Sequence, residues 1–426
     1  MVRLLVSNTR VIKVNNEDMK AVYLVLLFFV VNLPVRAAGT GDSLEFKKAN
    51  ELIESTRKKF APDKRTALFA AEFTVTSPLA VHVETTEPDA VLHLKRLFTD
   101  AGLSILIKEH ILPDSDLHGL IYGLANLSVC NNRVRPEQSA ELVTQVLLGT
   151  PVIILKKERG YYLVRTPDQY LSWIEDNAVA AMDKFAFDSW KQENKVVFTA
   201  DYGHAFEEPS FDATRVSDLV AGNILVLKGK AGKFYRVIYP DGRTGYVPVK
   251  QCRPYSKWAG RKDPDPSQII NTAKMMTGVP YLWGGTSVKG VDCSGFTKTS
   301  YFLNGIILAR DASQQALYGE KIDIYENDSL SVTKCLKNLL PGDLLFFGTR
   351  RADRSDRVTH TAIYIGKGEF IQSSGMVRIS SLVRSSPLYD TYHSPGLLSA
   401  RRILTAIGTE GITRVREHSL YQNISN

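Results

Sequence analysis

Cysteine is scarce in this chain: four in 426 residues, at positions 130, 252, 293 and 335. They are widely scattered, with no C-x-x-C pair and no metal-ligand spacing, which argues against a thiolate metal site. No disulfide pairing can be assigned from their positions. Histidine gives no metal signal either, since His82, His93, His110 and His118 recur at no ligand spacing. A dense cluster of one charge sign is also lacking. The net charge of +8 is spread thinly, which does not support a nucleic-acid partner. The one long apolar run, from Ala21 to Leu33, counts thirteen residues, short of the roughly 20 that a membrane-spanning helix needs. What remains is an ordinary globular composition, 44% hydrophobic and 23% charged, with length enough for about two to four domains.

The apolar run has the flanks of a secretory signal. Met19-Lys20 precedes it and Val35-Arg36-Ala37 follows, so residues 1–37 are expected to be a signal peptide cleaved after Ala37, with Met19 as an alternative start. The rest would be exported, to the periplasm or the cell wall, with a net charge of about +5 and no membrane span after signal removal.

Residues 42–60 place apolar side chains at 44, 46, 49, 52, 53 and 60, the pattern of an amphipathic helix started by Asp42 or Ser43. With two β-like runs (68–75, 81–83) and a helical stretch at 87–100, residues 38–124 read as a small α/β segment without evident chemistry. An internal repeat follows. Gly149-Thr-Pro-Val-Ile-Ile-Leu, the pair Tyr161-Tyr162, Pro167-Asp168 and Trp173 return 73 residues later as Gly222-Asn-Ile-Leu-Val-Leu, Phe234-Tyr235, Pro240-Asp241 and Tyr246. Short alternating runs joined by turns, twice over, predict two compact β-barrels at 125–182 and 183–255. The pattern resembles bacterial SH3 domains. Residues 253–266 carry three prolines and mixed charge, so 256–266 reads as a linker, and the residues beyond 408 read as a polar tail.

The chemistry gathers in the remaining 267–408. Asp292-Cys293-Ser294-Gly295 follows a turn-rich GG pair and leads into apolar positions at 296, 302 and 303, so Asp292 is a natural helix N-cap with Cys293 in the first turn. Free N–H groups and the helix dipole favour a thiolate at such a place. A lone cysteine is equally a small buried hydrophobe, and only a basic partner decides between the two. Val358-Thr-His360-Thr-Ala-Ile-Tyr-Ile365 alternates as a strand with His360, Ala362 and Tyr364 on one face. A Gly-Lys-Gly turn leads to a second strand carrying Gln372, which a hairpin sets beside His360. Nucleophile, base and a neutral amide that orients the base form the arrangement of papain-like enzymes.

Six segments in order, PYLWGG (280–285), DCSGF (292–296), RDAS (310–313), PGDLLFF (341–347), HTAIYIG (360–366) and FIQSSG (370–375), resemble the NlpC/P60 cysteine peptidases. The ELVTQ string at 141–145 is similar to the first SH3 domain of the two-SH3 members, the γ-D-glutamyl-L-diamino acid endopeptidases. The resemblance implies an α+β chain: a papain-like catalytic domain preceded by two small SH3-like β-barrels and the N-terminal α/β segment. It implies Cys293 as nucleophile, His360 as general base and Gln372 as the third member, where relatives commonly have His. Tyr281 would help the oxyanion site, while Asp292, Ser294 and Asp311 would bind the substrate's free amine. Position 312 is Ala where a close relative type has Ser. From the first SH3 domain, Glu141 and Tyr170 would close the site behind an N-terminal L-Ala.

The implied activity is hydrolysis between γ-D-Glu and the diamino acid of peptidoglycan stem peptides, by a monomer needing no metal or organic cofactor. Two other readings share these residues: an endopeptidase acting on cross-links of intact peptidoglycan, and a non-catalytic SH3-type wall-binding protein.

Overall fold

In the computed structural model, residues 44–74, 79–351 and 356–422 are described. The expected signal peptide and the capping residues Asp42 and Ser43 lie outside them. The helix Leu44–Phe60 crosses the division between two units of the chain, residues up to Leu52 and residues from Ile53 on. Everything below belongs to the second unit.

The N-terminal segment is a three-stranded sheet, Phe69–Thr74, Ala80–Thr85 and Leu106–Ile111, the last two parallel and joined by the helix Pro88–Asp100. Parallel strands need such a crossover. The helix buries Ala90, Val91, Leu94 and Phe98, spaced for one apolar face.

The repeat is fuller than the sequence suggested. Seven strands (Tyr122–Ala125, Val129–Arg133, Leu142–Leu147, Pro151–Glu158, Tyr161–Arg165, Leu171–Glu175, Val179–Met182) form one sheet. Adding 73 to each starting residue gives the start of a strand in the second seven-stranded sheet, from Lys195–Phe198 to Cys252–Pro254. The first repeat therefore begins at Tyr122, inside the segment expected to end at 124. Both SH3-like units are antiparallel sheets with β-bulges. A bulge inserts one residue and sharpens the local twist, which folds each sheet over its own apolar core.

Two expectations fail together. Residues 256–266 are not a free linker, because the helix Tyr255–Ala259 buries Tyr255 and Trp258. The tail is not free either: Ile412–Arg414 pairs with Ile306–Leu308, and Val415, Leu420 and Tyr421 are buried. Both pack with Leu124, Phe187, Trp190, Val197, Ile224 and Ile307 in one core shared by the two SH3-like units and the catalytic domain. Fully burying one such side chain is worth about 1.5–3 kcal/mol, so this shared core fixes how the units pack.

The catalytic domain is built on a six-stranded sheet. Its order is Glu320–Lys321, Leu397–Arg402, Leu344–Arg350, Asp356–Gly366, Glu369–Ser374, Met376–Ser381. The helix Cys293–Phe302 packs against Asp356–Gly366 through Phe296 and Tyr301, which join Ile363, Ile371 and Phe346 in the core of that face. The opposite face carries Phe347, Ala362, Tyr364 and Phe370. Period-two alternation along one strand serves both cores.

Candidate active site

Asp292 starts the cysteine helix as its N-cap, in extended backbone, its carboxylate accepting the Gly295 N–H at 2.6 Å. Cys293 is the first helical residue, and its sulfur is reached by the backbone of Thr361, next to His360 on the neighbouring strand. The flanking glycines answer to packing. A Cβ on Gly295 would lie 2.0 Å from the Gly285 carbonyl oxygen, and Gly284, at φ +77°, has the backbone of Leu142 within 2.6 Å of where its Cβ would be. PYLWGG and DCSGF are thus two halves of one close approach.

Burial outweighs the helix start at this thiol. It pushes Cys293 up to about 12, with the Asp292 carboxylate adding to the shift, while N–H groups of Thr361 and Ser294 pull the other way. The thiolate expected from the helix terminus alone is therefore not the resting form. His360 moves oppositely: burial, then the nearby His393, lowers it from 6.5 to about 4, against the pull of Gln372, Asp390 and Asp292. At rest the thiol and the imidazole are both neutral.

The hairpin puts Gln372 where the strand pattern required. Ile363 pairs with Ile371 on one face, so Gln372 and His360 share the other, and Nε2 of His360 lies 2.6 Å from Oε1 of Gln372. Gln372 Nε2 donates to Asp390 Oδ2 at 2.6 Å and to Ser380 Oγ at 2.9 Å. The His393 ring stacks on His360, centroids 4.0 Å apart and planes 22° apart. A β-bulge opposite Phe347, leaving Thr359 unpaired, bends the strand just before His360.

The other expected residues converge on Arg310, which is 1% exposed. It donates to both oxygens of Asp292 (2.6 and 3.2 Å), to Ser294 Oγ at 3.0 Å, and to Thr144 Oγ1 of the first SH3-like unit at 2.9 Å. Burial works against its charge and is overcome by the Asp292 carboxylate, so the guanidinium is held firmly protonated. Asp292 also accepts the Gly284 N–H at 3.0 Å, which saturates both of its oxygens. Asp311 differs. Its Oδ2 receives Tyr170 Oη at 3.3 Å and Arg65 Nη1 at 2.9 Å, while Oδ1 lies 3.9 Å from Arg310. Tyr170 is buried, and Glu141 is exposed and accepts Trp283 Nε1 at 2.8 Å. Tyr281, two residues before Trp283, is half-buried within electrostatic reach of Cys293 and Asp292; burial first, then these neighbours, keep its phenol protonated.

The expected residues thus fall into contacting groups, His360 with Gln372, Asp292 with Ser294, Asp311 with Tyr170, and Glu141 beside Trp283, and five unexpected residues stand among them. Arg310 begins the RDAS segment and carried a signal as the only cation inside the motifs flanking Asp292. Trp283 likewise sat in PYLWGG. Arg65, Asp390 and His393 lay in stretches without a pattern. Asp63 and Arg65 form a turn of the N-terminal segment, Arg65 bonding Ser313 Oγ at 2.9 Å and Asp63 accepting Gln314 Nε2 at 2.9 Å. Among the described residues no cluster of His, Cys, Asp and Glu has the form of a metal site.

Comparison with known proteins agrees with this geometry. The NlpC/P60 family model matches residues 278–402, a span that holds Cys293, His360 and Gln372. Residues 278–402 are an NlpC/P60 domain. A second model, the bacterial dipeptidyl-peptidase SH3 domain, matches 132–179, within the first repeat. The chain resembles dipeptidyl-peptidase 6 of Lysinibacillus sphaericus, at 28% identity over 61% of this chain and 92% of that protein. It also resembles a γ-D-glutamyl-L-lysine dipeptidyl-peptidase of Bacillus cereus, at 29% identity over 62% of this chain and 76% of that one. The crystal structure of an NlpC/P60 family protein from Bacillus cereus shares the fold, with a TM-score of 0.55 and 24% identity over 66% of this chain and 99% of that chain. NlpC/P60 is a cysteine peptidase family, and this α+β chain carries an NlpC/P60 domain with SH3-type units ahead of it.

Proposed function

We propose that this protein is an exported cell-wall peptide hydrolase. It cleaves the γ-D-Glu–diamino acid bond of murein stem peptides bearing a free N-terminal L-Ala and releases L-Ala-D-Glu. The observation that supports this reading is the His360–Gln372 contact on the strand packed against the Cys293 helix, together with the Tyr170–Asp311 contact from the first SH3-like unit. The thiol, His360 and Gln372 supply peptidase chemistry, and Asp311 with Tyr170 and Glu141 from the SH3-like unit supplies a negatively charged, walled end. The curated relatives named above are dipeptidyl-peptidases, which accords with such an end.

With Nε2–H donated to Gln372, the free Nδ1 of His360 takes the Cys293 proton as sulfur attacks the γ-D-glutamyl carbonyl carbon. The oxyanion is met by the Cys293 N–H and the protonated Tyr281 hydroxyl. The imidazolium returns the proton to the departing amine, leaving a thioester. Water, giving a proton to His360, then attacks the thioester; the dipeptide leaves and the thiol is restored. Because both oxygens of Asp292 are already filled, the substrate ammonium falls to Asp311 Oδ1, with Asp292 and Ser294 holding Arg310 beneath it.

The test compares L-Ala-γ-D-Glu-diaminopimelate with its N-acetyl form. Cleavage of the first and not the second is expected. Equal cleavage of both refutes amine recognition and favours action on intact cross-links. Full activity in Cys293→Ala, or none in the wild type, refutes the peptidase mechanism.

A further inference from the structure

We propose that Asp390 is a positioning residue of this active site: it fixes the side-chain amide of Gln372 so that the carbonyl, and not the NH2, faces His360. The inference rests on the peptidase reading of Cys293 and His360. A glutamine amide is nearly symmetric in shape, and its two ends ask opposite things of an imidazole. Facing His360 with its carbonyl, Gln372 requires hydrogen on Nε2 and leaves Nδ1 as the base. Facing it with NH2, it would favour hydrogen on Nδ1, and the base would be lost.

What decides between them is the far end of the amide. There Asp390 Oδ2 stands 2.6 Å from Gln372 Nε2, on a side chain 3% exposed. A carboxylate can only accept, so a flipped amide would set oxygen against oxygen in a buried place. Asp390 is itself held in that ionised form and orientation. Its Oδ1 accepts the N–H groups of Tyr392 (3.0 Å) and His393 (2.9 Å), and its Oδ2 lies 3.0 Å from Nδ1 of His393, with Arg378 at 3.7 Å. Burial works against its charge, and the His393 N–H and ring overcome it. The same short segment, 390–393, thus locks the amide and lays the His393 ring on the face of His360. Ser380 Oγ, which also receives Gln372 Nε2 at 2.9 Å, can donate as well as accept and so cannot make the choice alone.

A carboxylate that merely braced the turn at 390–393 would give the same contacts, so the test must read the amide. In the full-length protein, Asp390→Ala is expected to lower kcat by about 10- to 100-fold with KM within about twofold, as losing the right histidine tautomer does in serine proteases on a larger scale. The double variant Gln372→Ala/Asp390→Ala should be no slower than Gln372→Ala alone, because Asp390 acts through that amide. Nitrogen-15 NMR of His360 should show the Nε2–H tautomer in the wild type and gain of Nδ1–H in Asp390→Ala, a readout independent of turnover. Wild-type kcat in Asp390→Ala, full additivity in the double variant, or an unchanged tautomer each overturns the proposal. If Asp390→Ala does not fold, the exchanged pair carries the test. Gln372→Glu/Asp390→Asn restores an acceptor beside His360 and a donor beyond it, and should outpace Gln372→Glu alone by at least about tenfold; equal rates overturn the proposal. A wild type that cleaves no murein peptide refutes the functional reading, while the tautomer measurement still judges Asp390.

Discussion

Replacing Arg310 with methionine isolates one buried charge at the start of the cysteine helix. The substitution keeps most of the volume and removes four donor contacts: two to Asp292, one to Ser294 and one to Thr144. Asp292, 7% exposed, keeps only the N–H groups of Gly284 and Gly295 and the weaker Ser294 hydroxyl contact at 3.3 Å. Removing one partner of a buried ion pair costs about 3–5 kcal/mol, because the surviving charge stays desolvated. Loss of the Thr144 bond adds about 1 kcal/mol and loosens the first SH3-like unit from the catalytic domain. Urea unfolding followed by tryptophan fluorescence should therefore show Arg310→Met at least about 3 kcal/mol less stable than the wild type. Adding Asp292→Asn should recover part of that loss, since the orphaned charge is gone. A cost below about 1 kcal/mol, or a double variant less stable than Arg310→Met, refutes the account of Arg310 as the neutralising partner of Asp292.

Further outcomes follow from other parts of the site and core. With His360 lowered to about 4, kcat/KM on the L-Ala-γ-D-Glu peptide should hold down to about pH 5 and fall below pH 4; a limb near 6.5 contradicts the buried neutral imidazole. As pH drops from 6.5 towards 4, the unfolded chain takes up that proton before the folded one does. The His360 contribution to stability should thus decline by about 3 kcal/mol, seen as a falling urea midpoint. Asp311→Asn should shrink the ratio of cleavage of the free-amine peptide to its acetylated form by at least about tenfold, the worth of one charge-assisted contact. Trp258→Ala, at a side chain 2% exposed whose Nε1 donates to the Leu303 carbonyl at 3.0 Å, should cost about 3–5 kcal/mol in thermal or urea unfolding.

What could be read from the chain was whatever local pattern encodes. The Cys293 helix start, the His360 strand and the Gln372 hairpin each announce themselves within ten residues; in the structure the helix packs on that strand and Gln372 meets His360. The 73-residue repeat showed only where aromatic and turn residues recur; strands such as Tyr122–Ala125 and Lys195–Phe198 match in position but not in residue type. The supposed linker misled because its prolines and charges dominate the composition, while Tyr255 and Trp258 find partners in residues as distant as Tyr421. The helix start favours a thiolate locally, but burial, which no local pattern reports, outweighs it at Cys293. Asp390, His393 and Arg65 had no legible role for a related reason: each matters through a partner on another strand or domain, and nothing in their neighbours along the chain specifies it.

The pairing of Arg65 with Asp311 joins positions 246 residues apart. During synthesis the early turn waits, without its partner, through both SH3 repeats and the first part of the catalytic domain. The segment 390–393 that locks Gln372 emerges later still. A nascent chain thus holds its nucleophile long before it holds the means to aim it. Every group proposed to aim the thiol, from His360 through Gln372 to Asp390, follows Cys293 along the chain.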